Sequence, residues 1–146
     1  AWFGVKLVRG IESRKSQVNR SSEFIKKWAD TFFDTSQKFM MSTERYMSIL
    51  HQLQGMTDPN CSFGTKLQKE LNSLNVELGE LGLRINRLAF YAPTRGIEVV
   101  NTQRKVQEYL TEIVKTMQGS FDHLKTLQNN FNRAVREAHS EMLELG

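Results

Sequence analysis

The sequence predicts an all-α protein: an elongated antiparallel three-helix bundle with coiled-coil character, which is expected to dimerise. Three observations predict this class. Apolar residues recur at helical spacing along most of the chain. The two prolines, Pro59 and Pro93, each stand where that periodicity stops, as proline's missing N–H requires. No run of alternating polar and apolar residues is long enough to build a sheet.

The first helix is predicted over about residues 12–54. Its apolar stripe repeats every seven residues and consists of Ile11, Val18, Ile25, Phe32, Phe39, Tyr46 and Leu53. The companion positions are poorer in apolar residues: Arg14, Ser21, Trp28, Thr35, Ser42 and Ile49. A helix of this length measures roughly 65 Å, more than the diameter of a compact domain.

The second helix is predicted over about residues 65–90, after a turn centred on Asp58-Pro59-Asn60. Its stripe alternates four- and three-residue steps through Leu67, Leu71, Leu74, Leu78, Leu81, Ile85 and Leu88. Gly79 and Gly82 interrupt this helix, and each costs about 1 kcal/mol relative to alanine. They indicate either a close approach to a neighbouring helix or glycines that the helix tolerates.

The third helix is predicted over about residues 97–145, after a break at 92–96. Its stripe includes Val106, Leu110, Ile113, Met117, Leu124, Leu127, Phe131, Ala134 and Ala138. The second helix is only about half as long as the other two. We therefore expect part of the long stripes to meet an antiparallel second copy or another part of the same polypeptide. The predicted seam for such a partner comprises Ile25, Trp28, Phe32, Phe39, Tyr46, Leu124 and Phe131.

The length fits one helical domain over residues 1–146, which we expect to be a piece of a longer protein. The single cysteine, Cys61, excludes an intrachain disulfide and favours a reducing, cytoplasmic compartment. No apolar run reaches the roughly 18 residues that would span a bilayer.

The sequence contains no catalytic, cofactor-binding or metal-binding motif that we recognise. His51, His123 and His139 are far apart, and none has a second ligand at the spacing of a metal site. Trp28 and Phe39 lie on or beside the stripe of the first helix, which favours core packing over stacking on nucleic-acid bases. We therefore predict an interaction module without a cofactor and without enzymatic activity.

The net charge of +4 is distributed unevenly, because the basic residues come first. The early basic residues are Lys6, Arg9, Arg14, Lys15, Arg20, Lys26 and Lys27, opposed by Glu12, Glu23 and Asp30. A basic helix of this kind can bind anionic lipid, nucleic acid or an acidic partner, or can be a solvated face.

The opening segment resembles a known family. The chain begins with Trp2-Phe3-Gly4 and Val8-Arg9-Gly10-Ile11, continues into Phe24-Ile25-Lys26-Lys27-Trp28-Ala29, and later carries Leu124, Phe131, Ala134 and Glu137. This order resembles F-BAR domains of the BAR superfamily, mainly over residues 2–40. The resemblance implies a cytoplasmic homodimer, peripheral at membranes in trafficking or cytoskeletal control, whose curved basic face binds anionic phospholipid. It places Lys15, Arg20, Lys26 and Lys27 on that face, because they flank the apolar stripe of the first helix.

The competing interpretation is a soluble helical adaptor or assembly subunit without membrane activity. Such a protein would pack a partner protein's amphipathic helix into the stripe that the second helix leaves open.

Overall fold

The computed structural model describes the backbone of residues 2–145 and the side chains of residues 23–145. It contains the α-helices α1 (Trp2–Gln54), α2 (Ser62–Leu88), α3 (Gly96–Thr116) and α4 (Phe121–Glu144). A 3-10 turn, Ala89–Tyr91, follows α2 directly. No strand occurs between residues 2 and 145. The predicted all-α helical class is confirmed.

Consecutive helices run antiparallel and pack as two hairpins. In the first, the 55–61 loop joins α1 to α2, and the Arg45 Nε atom lies 2.8 Å from the Glu70 Oε1 atom. In the second, residues 117–120 join α3 to α4, and the Ser120 amide donates a hydrogen bond of 2.8 Å to the Tyr109 hydroxyl. Both connections are short, as is usual between antiparallel neighbours.

The two hairpins close into one bundle along two further contacts. Phe39 of α1 meets Phe131 of α4 edge to face, with ring centroids 5.3 Å apart. On the other side α2 approaches α3, since a Cβ added to Gly82 would lie 2.6 Å from the Gln103 Nε2 atom. The helices therefore form an up-down-up-down four-helix bundle.

The prediction of one helix over 97–145 is wrong, because the chain turns back between α3 and α4. Met117, the C-cap of α3, has a left-handed backbone with φ of 55°. Ser120 then caps α4, and its hydroxyl accepts a hydrogen bond of 3.3 Å from the His123 amide. Met117 and Leu124 are seven residues apart, so the apolar spacing continues across the break. The spacing alone therefore does not indicate that a helix ends here.

The helices of the bundle are also more equal in length than predicted. The helices α2, α3 and α4 contain 27, 21 and 24 residues. Only α1 is much longer, with 53 residues, and it begins at Trp2 instead of near residue 12. Its first buried side chain within residues 23–145 is that of Ala29. No overlong third helix therefore requires a partner to cover it.

Five of the seven residues predicted to form a seam for a partner lie in the core of the chain itself. These are Phe32, Phe39, Tyr46, Leu124 and Phe131. Their apolar surface is covered because α4 folds back along α1, which an unbroken third helix would not have allowed. Ile25 is half-buried and Trp28 is 37 % exposed. Of the seven, only these two remain accessible.

Several polar side chains inside the bundle are hydrogen-bonded. The Thr35 hydroxyl donates to the Thr31 carbonyl at 2.7 Å, and the Ser36 hydroxyl donates to a carbonyl one turn earlier at 2.8 Å. The Gln128 amide of α4 donates to the Thr43 hydroxyl of α1 at 2.7 Å. Buried hydroxyls are tolerated when they are paired in this way, so the weak companion positions of α1 are compatible with a core.

The predicted stripe of α2 faces the core. Its members are buried (Leu67, Leu78, Leu81, Ile85) or half-buried (Leu71, Leu74, Leu88). The two glycines differ. Gly82 lies against α3, as a close approach predicts, whereas a Cβ added to Gly79 would meet no other atom within 4 Å.

Candidate binding surfaces

The histidines lie in separate places, and each packs against an aromatic ring, His139 against Phe33 with ring centroids 5.2 Å apart. His51 stacks on Phe121 with ring centroids 4.5 Å apart, and His123 meets Tyr109 edge to face at 4.5 Å. His139 is half-buried farther along α4. Among residues 23–145, no three side chains of His, Cys, Asp or Glu are grouped so that they could hold a metal ion.

Cys61 serves as a helix cap. It is the N-cap residue of α2, and its Sγ atom accepts a hydrogen bond of 3.4 Å from the Gly64 amide. The loop folds tightly here, since a Cβ on Gly64 would lie 2.1 Å from the Pro59 carbonyl oxygen. The thiol therefore has a local structural role at the start of α2.

Charge divides the chain into two unlike parts. Residues 1–27 contain seven of the 20 lysines and arginines but only two of the 16 acidic residues, a net charge of +5. Residues 28–146 therefore carry a net charge of −1. The basic excess of the whole protein thus belongs to the first half of α1, and the bundle is close to neutral.

The two parts meet at one end of the bundle, which we call the entry end and define by Phe24, Lys26, Lys27, Trp28 and Tyr91. Lys26 and Lys27 are exposed. Neither forms an ion pair with any residue in 23–145. Two of the predicted lipid-binding residues therefore lie on the described surface. The other two, Lys15 and Arg20, fall outside the described side chains.

Aromatic side chains lie at the same end of the bundle as these lysines. Trp28 stacks on Tyr91 with ring centroids 4.2 Å apart, and Phe24 lies 6.1 Å from Trp28. Phe24 is 58 % exposed and Tyr91 is 41 % exposed. Trp28 was predicted as a seam residue, but Tyr91 was not predicted at all. It is 63 residues away in sequence, and only the bundle brings the two rings together.

The segment that follows Tyr91 is hydrogen-bonded to α4. Both the Thr94 and the Arg95 amides donate hydrogen bonds of 2.9 Å to the Glu141 Oε1 atom. The hydrogen bond from the Arg95 amide is the main cause that lowers the pKa of Glu141. The Arg95 guanidinium also lies 3.5 Å from a Glu137 oxygen. These contacts hold the connection between α2 and α3 against the end of the bundle.

No protein-family model matches the chain, and no curated protein or solved structure is significantly similar to it. The F-BAR resemblance is therefore neither supported nor contradicted by known relatives. None of the described helices combines the length and the apolar character that crossing a bilayer requires.

Proposed function

We propose that this protein is a non-enzymatic helical module that binds an anionic membrane surface through the entry end and the basic half of α1. The observation that carries the proposal is the division of charge, +5 over residues 1–27 against −1 over the remainder. A protein that only needed solubility would have no reason to concentrate its basic residues in one segment.

The physical basis is electrostatic attraction helped by aromatic insertion. Each Lys or Arg held near an anionic leaflet contributes about 1 kcal/mol, and the attraction decays within a Debye length of about 8 Å at physiological salt. Trp and Tyr favour the headgroup region because their rings are apolar with one polar atom. Trp28 follows Lys27 directly in α1 and stacks on Tyr91, so both contributions act at the same end of the bundle.

The cytoplasmic leaflet is the natural target, because anionic lipids are concentrated there. The protein would then be cytoplasmic and peripheral at membranes, in trafficking or cytoskeletal control, as the F-BAR resemblance implies. A homodimer would present two basic segments to one surface and so raise the apparent affinity.

The experiment is co-sedimentation of the full chain with vesicles of phosphatidylcholine alone or mixed with phosphatidylserine. We expect binding only to the anionic vesicles, and weaker binding at high salt. The double variant Lys26→Glu, Lys27→Glu should bind about 30-fold more weakly or worse, since about 1 kcal/mol is lost with each lysine.

A matched control is Lys66→Glu, Lys69→Glu. These exposed lysines lie on α2, near the level of Ile49, and thus about 33 Å from Lys27 along α1. The control has the same charge change and should bind almost as well as the parent. Equal binding to neutral and anionic vesicles, or equal losses in both double variants, would contradict the proposal.

The adaptor interpretation is the weaker of the two. It requires a stripe left open beside the second helix, but α4 covers the stripe of α1 from Phe32 to Tyr46. A partner helix would have to displace α4 to reach these residues. We therefore favour the membrane surface as the partner.

A further inference from the structure

The outward side of α2 carries a second apolar stripe, separate from the leucines that face the core. Val76, Leu83 and Phe90 follow one another at seven-residue intervals and are 63 %, 60 % and 86 % exposed. Gly79 and Asn86 lie between them and complete a three-four spacing. We call these five residues the outer stripe. This spacing is typical of a helix that packs against another helix.

A groove runs beside the outer stripe, between α2 and α3. One cavity of 330 Å³ lies near Phe90 and Ile97, and a second of 610 Å³ continues along α3. Asn86 and Val100 line both cavities, so the two adjoin. The Asn86 Oδ1 atom is buried there and has no hydrogen-bond partner among the described residues. The two cavities leave open space along this groove.

Size complementarity is built into the outer stripe. At Gly79 an added Cβ would meet no atom within 4 Å, so the surface above this glycine is open to an incoming side chain. Phe90 is a large, exposed side chain in the 3-10 turn that directly continues α2. Eleven positions separate the two residues. If α2 packs antiparallel on a second α2, Phe90 of each copy can lie over Gly79 of the other.

Charge complementarity occurs at the same register. Glu80 and Arg87 border the outer stripe, are exposed, and form no ion pair within residues 23–145. In the antiparallel arrangement that brings Phe90 over Gly79, Glu80 of one copy lies about 3 Å along the helix axis from the level of Arg87 of the other, within reach of the two side chains. The two-fold axis repeats each contact. A self-complementary patch of this kind is what an isologous dimer requires.

We infer that a second copy of this chain docks on the outer stripe, with the two α2 helices antiparallel about a two-fold axis near residues 84 and 85. This surface is distinct from the seam first expected along α1, most of which is buried in the core. The inference does not depend on membrane binding, because its evidence lies on α2 and its test uses no lipid.

The test is the mass of the full chain in solution by sedimentation equilibrium over a range of concentrations. We expect a reversible dimer. Glu80→Arg and Arg87→Glu should each raise the dissociation constant about tenfold, because each creates two like-charge contacts across the axis. The double variant Glu80→Arg, Arg87→Glu should restore the parent constant, since the exchanged charges again face each other.

A control on the same helix is Glu77→Arg, whose exposed side chain lies away from the outer stripe. It makes the same charge change as Glu80→Arg and should leave the dissociation constant unchanged. Phe90→Ser should weaken the dimer more than either charge variant while retaining the helical circular dichroism signal, because its ring is exposed in the single chain.

Two results would overturn the inference. One is a monomer at every concentration. The other is a dimer whose dissociation constant is raised by the single charge variants but is not restored by the double variant. Such a dimer would use another surface.

Discussion

The inner stripe of α1 and the outer stripe of α2 have the same seven-residue spacing but opposite surroundings. Phe32, Phe39, Tyr46 and Leu53 of the inner stripe are buried against the chain's own helices. Val76, Leu83 and Phe90 of the outer stripe are mostly exposed. The spacing shows that a helix face can pack against another helix. It does not show whether that other helix belongs to the same chain.

The neighbours of each stripe are more informative than its spacing. Around the inner stripe, Thr35 and Ser36 donate to carbonyls of their own helix and so need no outside partner. Beside the outer stripe, Glu80 and Arg87 are charged and unpaired within residues 23–145. Charges that flank an apolar stripe are typical of a surface between chains.

The largest effect that tests this comparison is the loss of a ring from the inner stripe. Phe39→Ala removes a fully buried side chain that packs on Phe131, and we expect it to lower the free energy of unfolding by about 3–5 kcal/mol. Leu83→Ala in the outer stripe should change it by less than about 0.5 kcal/mol. Urea denaturation at a concentration where the protein is monomeric measures both. Similar losses would mean that the outer stripe is covered within the chain.

A smaller effect separates the two glycines of α2. Gly79→Ala should raise the free energy of unfolding by about 0.5–1 kcal/mol, because alanine is the better helix former and its Cβ meets nothing. Gly82→Ala has the same helix preference but must move the Gln103 amide, so we expect it to gain less or to lose stability. Thermal melts of the dilute monomers compare them, and a larger gain at Gly82 would contradict the close approach of α3.

The smallest expected effect concerns the Glu141 carboxylate, which accepts hydrogen bonds from the Thr94 and Arg95 amides. The Arg95 amide lowers the pKa of Glu141 in the folded state, so the charged carboxylate stabilises the fold above its unfolded pKa of about 4.3. This contribution is lost as the pH falls through the lower, folded pKa. Glu141→Gln should therefore reduce the urea midpoint slightly at pH 7, and the difference from the parent should vanish in strong acid. A difference that persists in acid would show that charge is not the cause.

Much of the architecture was readable from the sequence because local chemistry determined it. Pro59 and Pro93 stand at the breaks between helices, and the leucines of α2 face inward as their spacing predicts. The third break was missed although Gly119 and Ser120 are ordinary signals for a helix end and an N-cap. The apolar spacing from Met117 to Leu124 matches a continuous helix, so it conceals the break that the capping residues mark.

The binding surfaces were less predictable, because they depend on tertiary packing. Lys26 and Lys27 could be named from charge alone, yet the stack of Trp28 on Tyr91 exists only after the bundle has formed. The outer stripe was visible in the sequence as Val76, Leu83 and Phe90. It was overlooked because the leucine stripe of the same helix is stronger, and only the exposed fractions distinguish the inner face from the outer one.

The hydrogen bond between Thr43 and Gln128 has a consequence for the order of folding. It joins residues 85 apart in sequence, whereas contacts near the turn of each hairpin join residues 25 apart (Arg45 with Glu70) and 11 apart (Tyr109 with Ser120). Closing the longer loop costs more chain entropy. We therefore expect the hairpins to form before they dock, so that substitutions between α1 and α4 accelerate unfolding more than they slow folding in stopped-flow measurements. The contact that makes one bundle of two hairpins would then be the last to form and the first to open.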